Sequence, residues 1–114
     1  MKDMEELKML QNNQAYNLNE LLNAPIENHA ELVVQYDSRK SFYGKAKVFF
    51  LNNGTKLLQS YNTFVALVLP NGKFLSNGRY SATTTRHEIE FAKQFSNDFD
   101  GNLSEYVLGK KFNF

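Results

Sequence analysis

Apolar and polar positions alternate most clearly between Phe42 and Leu51. In an extended strand Phe42, Ala46, Val48 and Phe50 share one face, while Tyr43, Lys45, Lys47, Phe49 and Leu51 share the other, because successive side chains point to opposite sides. Asn52-Asn53-Gly54 then gives a strong hairpin signal, and residues 55–61 return beside the first strand. Residues 31–36 read as an earlier strand with Leu32, Val33 and Val34 mostly buried, and residues 63–69 as the central strand. Pro70-Asn71-Gly72 and Asn77-Gly78 are further turn signals, which place short strands at 73–76 and 79–82.

Helical spacing occurs at both ends of this block. Met1, Met4, Leu7 and Leu10 recur at threes and predict a short helix over 3–12 that needs packing to persist. Asn17 and Glu20 resemble a cap for a brief turn through Leu18, Leu21 and Leu22, which Pro25 stops. Thr85 and Glu88 have the spacing of a capping box and open a helix over 85–97. Its Ile89, Phe91, Ala92 and Phe95, with Phe99 beyond, form an apolar stripe suited to lie on the sheet. Residues 97–102 are turn-like, 103–108 read as a last strand or a short helix, and 109–114 as a tail with a basic pair. The expected architecture is α+β: an antiparallel sheet of roughly four to six strands packed against one main helix, with a short N-terminal helix. As one domain over 1–114 it divides into a helical segment at 1–24, a sheet at 31–82, a helix at 85–97 and a C-terminal segment at 103–114.

Composition narrows the chemistry. The chain of 114 residues suits one core, and an apolar fraction of 42% argues against disorder across the middle. Cysteine is absent, which excludes disulfides, thiolate metal sites and thiol nucleophiles, and fits a cytoplasmic protein. Acids at positions 3, 5 and 6 and the lack of a long apolar core argue against a signal peptide. The most apolar run, 64–69, is strand-sized, so no membrane partner is expected.

Charge is segregated rather than abundant. Residues 38–87 hold eight bases (Arg39, Lys40, Lys45, Lys47, Lys56, Lys73, Arg79 and Arg86) and no acid. Residues 1–37 hold seven acids against two bases, and residues 88–114 five against three, so −5, +8 and −2 give the total of +1. The pattern predicts a basic middle displayed on strands, either presented to an anionic partner or neutralised by acidic flanks folding back. Lys45 and Lys47 share a strand face with aromatic neighbours, and Lys56 falls near that face if the hairpin register brings it there. Such interleaving suits stacking and phosphate contact with single-stranded nucleic acid, and equally suits a half-buried strand whose lysines reach to solvent.

The segment Tyr80–His87, YSATTTRH, is the most unusual local sequence. A helix start there exposes unpaired N–H groups, and Arg86, Thr83 and Thr84 could complete an anion cradle. The competing reading is capping, with Arg86 in an intramolecular ion pair. His87 leans towards the apolar stripe through Phe91, so burial is the simpler reading than catalysis; His29 falls in a loop. Two histidines without cysteine give no zinc pattern. Asp98, Asp100 and Asn102 imitate the start of a calcium loop, but Leu103 and Gly109 stand where glycine and glutamate are needed. No phosphate-cradling glycine loop and no carboxylate pair on the predicted sheet are present, so no enzyme, cofactor or metal is expected.

Ser60-Tyr61-Asn62-Thr63, followed by Tyr80, Ser81, Thr83, Thr84, Arg86 and His87, resembles a small domain of uncharacterised proteins from Gram-positive bacteria, their phages and mobile elements. The likeness spans about residues 31–97. Small phage proteins of this kind include anti-CRISPR inhibitors, so the resemblance implies a non-catalytic protein that binds a host nuclease or its ribonucleoprotein effector. The alternative is a general DNA- or RNA-binding accessory protein, and a third reading is a homodimer closed by aromatics. The residues expected to bind are Arg39, Lys40, Tyr43, Lys45, Lys47, Lys56, Arg79, Thr84, Arg86 and His87.

Overall fold

A computed structural model describes residues 18–78 and 80–107. The helix expected over 3–12, Arg79 and the tail from 108 lie outside the described residues. The elements are a short helix α1 (Leu18–Leu22), strands β1 (Ile26–Glu31), β2 (Ala46–Leu51), β3 (Lys56–Ser60), β4 (Thr63–Val68) and β5 (Phe74–Ser76), the main helix α2 (Ala82–Phe95), and a 3-10 turn over Leu103–Tyr106. The five strands form an antiparallel meander in the order β1-β2-β3-β4-β5. The α+β class, the antiparallel sheet and the single main helix are as the pattern predicts.

The turn chemistry explains the meander. At the β2–β3 hairpin the Asn53 carboxamide accepts the Thr55 N–H at 2.9 Å, and the Gly54 N–H reaches the Leu51 carbonyl at 3.1 Å. At the β4–β5 hairpin Gly72 has φ +92, and a Cβ there would collide with the Asn97 carboxamide. Glycine is required at that point. The Asn97 side chain donates to the Asn71 carbonyl at 2.9 Å, which ties the end of α2 to this turn.

Register sorts the side chains into two layers. On one face Phe42, Ala46, Val48, Leu58, Ala66, Val68 and Phe74 pack under Phe91 and Ala92 of α2. On the other, Leu51, Leu57, Leu67, Leu69 and Leu75 gather with Leu21 of α1. An apolar hollow of about 330 Å³ opens between Leu22, Ala24 and Ile26 and the sheet residues Leu51, Leu57 and Phe64. A sheet apolar on both faces must be covered on both, which is why the strands read as near-continuous apolar runs.

Several boundaries differ from the sequence reading. The first strand runs over 26–31 rather than 31–36, so His29 stands in a strand, stacked on Phe49 at 5.5 Å, and not in a loop. Leu32 is buried, but Val33 is 66% exposed. The chain leaves the ladder there because the N–H groups of residues 35–37 bond to a side chain of α2 instead of a neighbouring strand. The second strand starts at Ala46, since Tyr43 and Gly44 adopt positive φ and turn the backbone. The middle of the sheet is β3, not the strand starting at Thr63. Residues 80–81 form no strand: they belong to the connection between β5, which ends at Ser76, and α2, which begins at Ala82. That helix begins at Ala82 and is capped by Ser81, whose hydroxyl accepts the Thr84 N–H at 3.2 Å. The Thr85–Glu88 capping box is therefore not used.

Candidate functional site

The inward face of α2 is set by the spacing Thr84, His87, Glu88, Phe91, Ala92, all buried. Three of these five residues are polar, and each polar group meets a partner from the sheet. The Ser60 hydroxyl, at the end of β3, lies 2.9 Å from Thr84 Oγ1 and 2.7 Å from His87 Nδ1. The imidazole packs beside the Phe42 ring at 4.5 Å and the Tyr61 ring at 5.9 Å. Burial holds the His87 pKa below its ordinary value, against the opposing pull of the Asp37 charge. Ser60 is 2% and His87 1% exposed, so this hydroxyl–imidazole pair ties β3 to α2 beneath the surface.

One residue along, the Ser76 hydroxyl of β5 donates to Glu88 Oε1 at 2.6 Å. Glu88 is fully buried, and its Oε2 has no hydrogen-bond partner among the described residues. Burial pushes the carboxyl up to about 7, with the Ser76 bond opposing. The neutral acid is the form this environment favours.

Glu90 lies on the flank of α2 and acts differently. Its carboxylate accepts the N–H groups of Gln35 and Tyr36 at 3.0 Å and of Asp37 at 2.8 Å. Gln94 Nε2 adds a further donor at 2.6 Å. Burial pushes this carboxyl upward, but the four donors outweigh it and hold the pKa below its ordinary value. Beside it, Arg86 Nη1 meets Asp37 Oδ1 at 2.9 Å. That aspartate is held low first by the Arg39 N–H, with burial opposing and the Arg86 charge adding to the lowering. The segment after β1 is thus strapped onto α2 by two carboxylates.

The strap shapes one rim of the sheet. Three tyrosines stand out from it: Tyr36 57%, Tyr43 76% and Tyr61 50% exposed. Lys93 Nζ lies 5.9 Å from the Tyr36 ring centroid, a cation–π distance. The Tyr61 N–H donates to the Lys45 carbonyl at 2.7 Å, so the β3–β4 turn and the turn before β2 are joined. Arg39, Lys40 and Lys45 are exposed on the same rim.

The expected binding residues therefore divide. Arg39, Lys40, Tyr43 and Lys45 are all exposed in the loop that leads into β2 at this rim. Lys47 is exposed in β2 opposite Glu31 of β1, so an acid from the N-terminal flank folds beside it. Lys56 is paired with Phe50 and lies on the opposite face from Lys47, which corrects the expected clustering. Thr84 and His87 face inward and Arg86 faces Asp37, so the anion cradle at the helix start is not assembled. Arg79 is outside the described residues. Among the described residues no group of three or more His, Asp or Glu side chains could hold a metal ion, and no helix is long and apolar enough to cross a membrane.

Sequence reasoning missed Glu88, Glu90, Ser76, Tyr36 and Tyr61. The spacing 84, 87, 88, 91, 92 was a visible signal: it is the inward face of one helix, with two ionisable side chains on it. Residues 30–107, from the end of β1 through the 3-10 turn, match the family of unknown function DUF8033. The chain belongs to that family. No curated protein matches it, and no solved structure does. The DUF8033 match takes in the strap, the buried ties under α2 and the tyrosine rim together, so these features sit in the family's domain rather than in an appendage.

Proposed function

We propose that this DUF8033 protein is a non-catalytic binding module that acts in the cytoplasm and engages an anionic partner through the Tyr36–Tyr43–Tyr61 rim. One observation carries the reading. The side chains with chemistry to offer, Ser60, His87 and Glu88, are sealed under α2, whereas the exposed functional groups are aromatic rings among Arg39, Lys40 and Lys45. Large exposed aromatics beside cations are the composition of recognition surfaces. The sequence resemblance to small phage proteins supplies a specific candidate, inhibition of a CRISPR nuclease by contact with its ribonucleoprotein. A general nucleic-acid accessory protein is the second reading, favoured by the same basic side chains.

Retention on a heparin column tests the rim directly. Reversing Arg39, Lys40 or Lys45 to Glu, one at a time, should move elution to clearly lower salt, while Lys56→Glu, an equal change of charge on the other face of β2–β3, should shift it far less. Equal shifts from the rim variants and Lys56→Glu would refute the rim as the anion-binding surface.

A further inference from the structure

We infer that the ligand of this rim is single-stranded nucleic acid, with unpaired bases stacking on Tyr43 and Tyr61 while Arg39, Lys40 and Lys45 contact the phosphates. The inference rests on the reading of the rim as a binding surface and names its partner class.

Backbone conformation distinguishes these two tyrosines from ordinary surface residues. Tyr43 has φ 52 and Tyr61 φ 56, the only non-glycine residues with positive φ among those described. That region is unfavourable for a bulky side chain and costless for glycine, which occupies it at Gly44, Gly54 and Gly72. Each strained turn is held by its surroundings. The Tyr43 N–H donates to Ser41 Oγ at 2.8 Å, the Lys45 N–H to the Phe42 carbonyl at 2.9 Å, and the Tyr61 N–H to the Lys45 carbonyl at 2.7 Å. Burial does not explain the Tyr43 ring, which is 76% exposed; Tyr61 is 50% exposed, with its covered side beside the His87 ring at 5.9 Å. Strain kept at an exposed aromatic points to a use for the ring itself.

The charges around the rings fit a phosphate chain. Asp37 is engaged by Arg86, while the Glu31 carboxylate, which accepts the Gly44 N–H at 3.1 Å, sets one negative charge against the cations Arg39, Lys40 and Lys45. Arg39, Lys40 and Lys45 remain exposed beside the rings. Tyr43 stands between Lys40 and Lys45 in one exposed loop, and a ring flanked by cations suits a single strand, whose bases offer free faces between phosphates. A duplex hides those faces.

Fluorescence anisotropy with labelled oligothymidylate and oligouridylate of about 15 nucleotides, and with a duplex of the same length, tests this. The wild-type protein should bind a single strand more tightly than the duplex, with affinity falling steeply as salt rises from about 50 to 200 mM. Tyr43→Gly and Tyr61→Gly should each weaken binding at least about fivefold; Tm should stay level or rise for Tyr43→Gly, since glycine relieves the backbone, whereas in Tyr61→Gly the lost contact with the His87 ring offsets that relief. Phe at either position should restore most of the affinity, as stacking needs only the ring. Equal binding of duplex and single strand, with the glycine variants unchanged, would overturn the inference. Absence of binding to any oligonucleotide would overturn it too. In that case a heparin shift specific to the Arg39, Lys40 and Lys45 reversals leaves the rim standing as a cationic surface for an acidic protein, and its absence removes both.

Discussion

Replacing Glu88 by Gln should make the protein more stable at pH 8 and leave it little changed at pH 5. Glu88 is fully buried with Oε2 unpartnered among the described residues, and burial raises its carboxyl from an ordinary 4.5 to about 7. The folded state therefore holds this proton to higher pH than the unfolded chain does. Below about pH 4.5 both states are protonated and the group has no effect on stability. As pH rises through the window from 4.5 to about 7 the unfolded chain releases the proton first, and folding stability falls. At about 1.4 kcal/mol for each pH unit, the loss saturates near 3 kcal/mol above pH 7. Glutamine keeps an acceptor for Ser76 Oγ, now 2.6 Å from Glu88 Oε1, and cannot ionise. Urea unfolding of both proteins from pH 5 to 8, followed by circular dichroism, gives the difference curve. The comparison also cancels His87, whose lowered pKa acts in the opposite sense: its stability is present above about pH 6.5 and is lost as pH falls through the folded value. A difference that stays within about 0.5 kcal/mol across the whole range would refute a buried, neutral Glu88.

Three further perturbations probe the ties that position the rim. Ser60→Ala strands Thr84 Oγ1 and His87 Nδ1 in the core and should cost about 1–3 kcal/mol in urea unfolding; a change below the lower bound would mean the three groups do not form one network. Glu90→Ala releases three N–H groups of the strap and should render the amides of Gln35, Tyr36 and Asp37 fast in hydrogen exchange, with those of β3 still protected. In the wild type, the depressed Glu90 pKa means its contribution is present above the ordinary carboxylate pKa and is lost as pH falls through the folded value, so acid should loosen the strap first. Gly72→Ala forces a Cβ onto the Asn97 carboxamide at φ +92 and should lower stability by about 1–3 kcal/mol, whereas Gly101→Ala, with open space around it, should lose only the conformational part.

The sheet was legible in the sequence because its turns are written in residues with one use. Asn53-Gly54 and Asn71-Gly72 end strands where the ladder ends, and the alternation of Val48, Phe49, Phe50 and Leu51 gave the right faces. Errors arose where side chains replaced backbone partners. Val33 and Val34 have strand propensity, yet the next N–H groups find Glu90, a partner more than fifty residues away that no local pattern reveals. The helix start was misplaced because Ser81, Thr83, Thr84 and Thr85 can all cap, and the choice of Ser81 turns Thr84 and His87 inward towards Ser60. The basic stretch was visible as charge, but its division between faces depended on the register that sets Lys56 opposite Phe50. Of the rim, Tyr43 and Lys45 were legible from interleaving. Tyr61 was not, since only the positive φ at the β3–β4 turn distinguishes it from a strand residue.

The most direct test of binding through the rim is capture by the tagged protein from a cell lysate, with and without nuclease treatment, comparing the wild type with the Arg39, Lys40 and Lys45 charge reversals. A defined set of partners, nucleic acid or a nucleoprotein among them, should be retained by the wild type and lost by the folded variant. Identical partners bound by the wild type and by a variant with an unchanged Tm would contradict it.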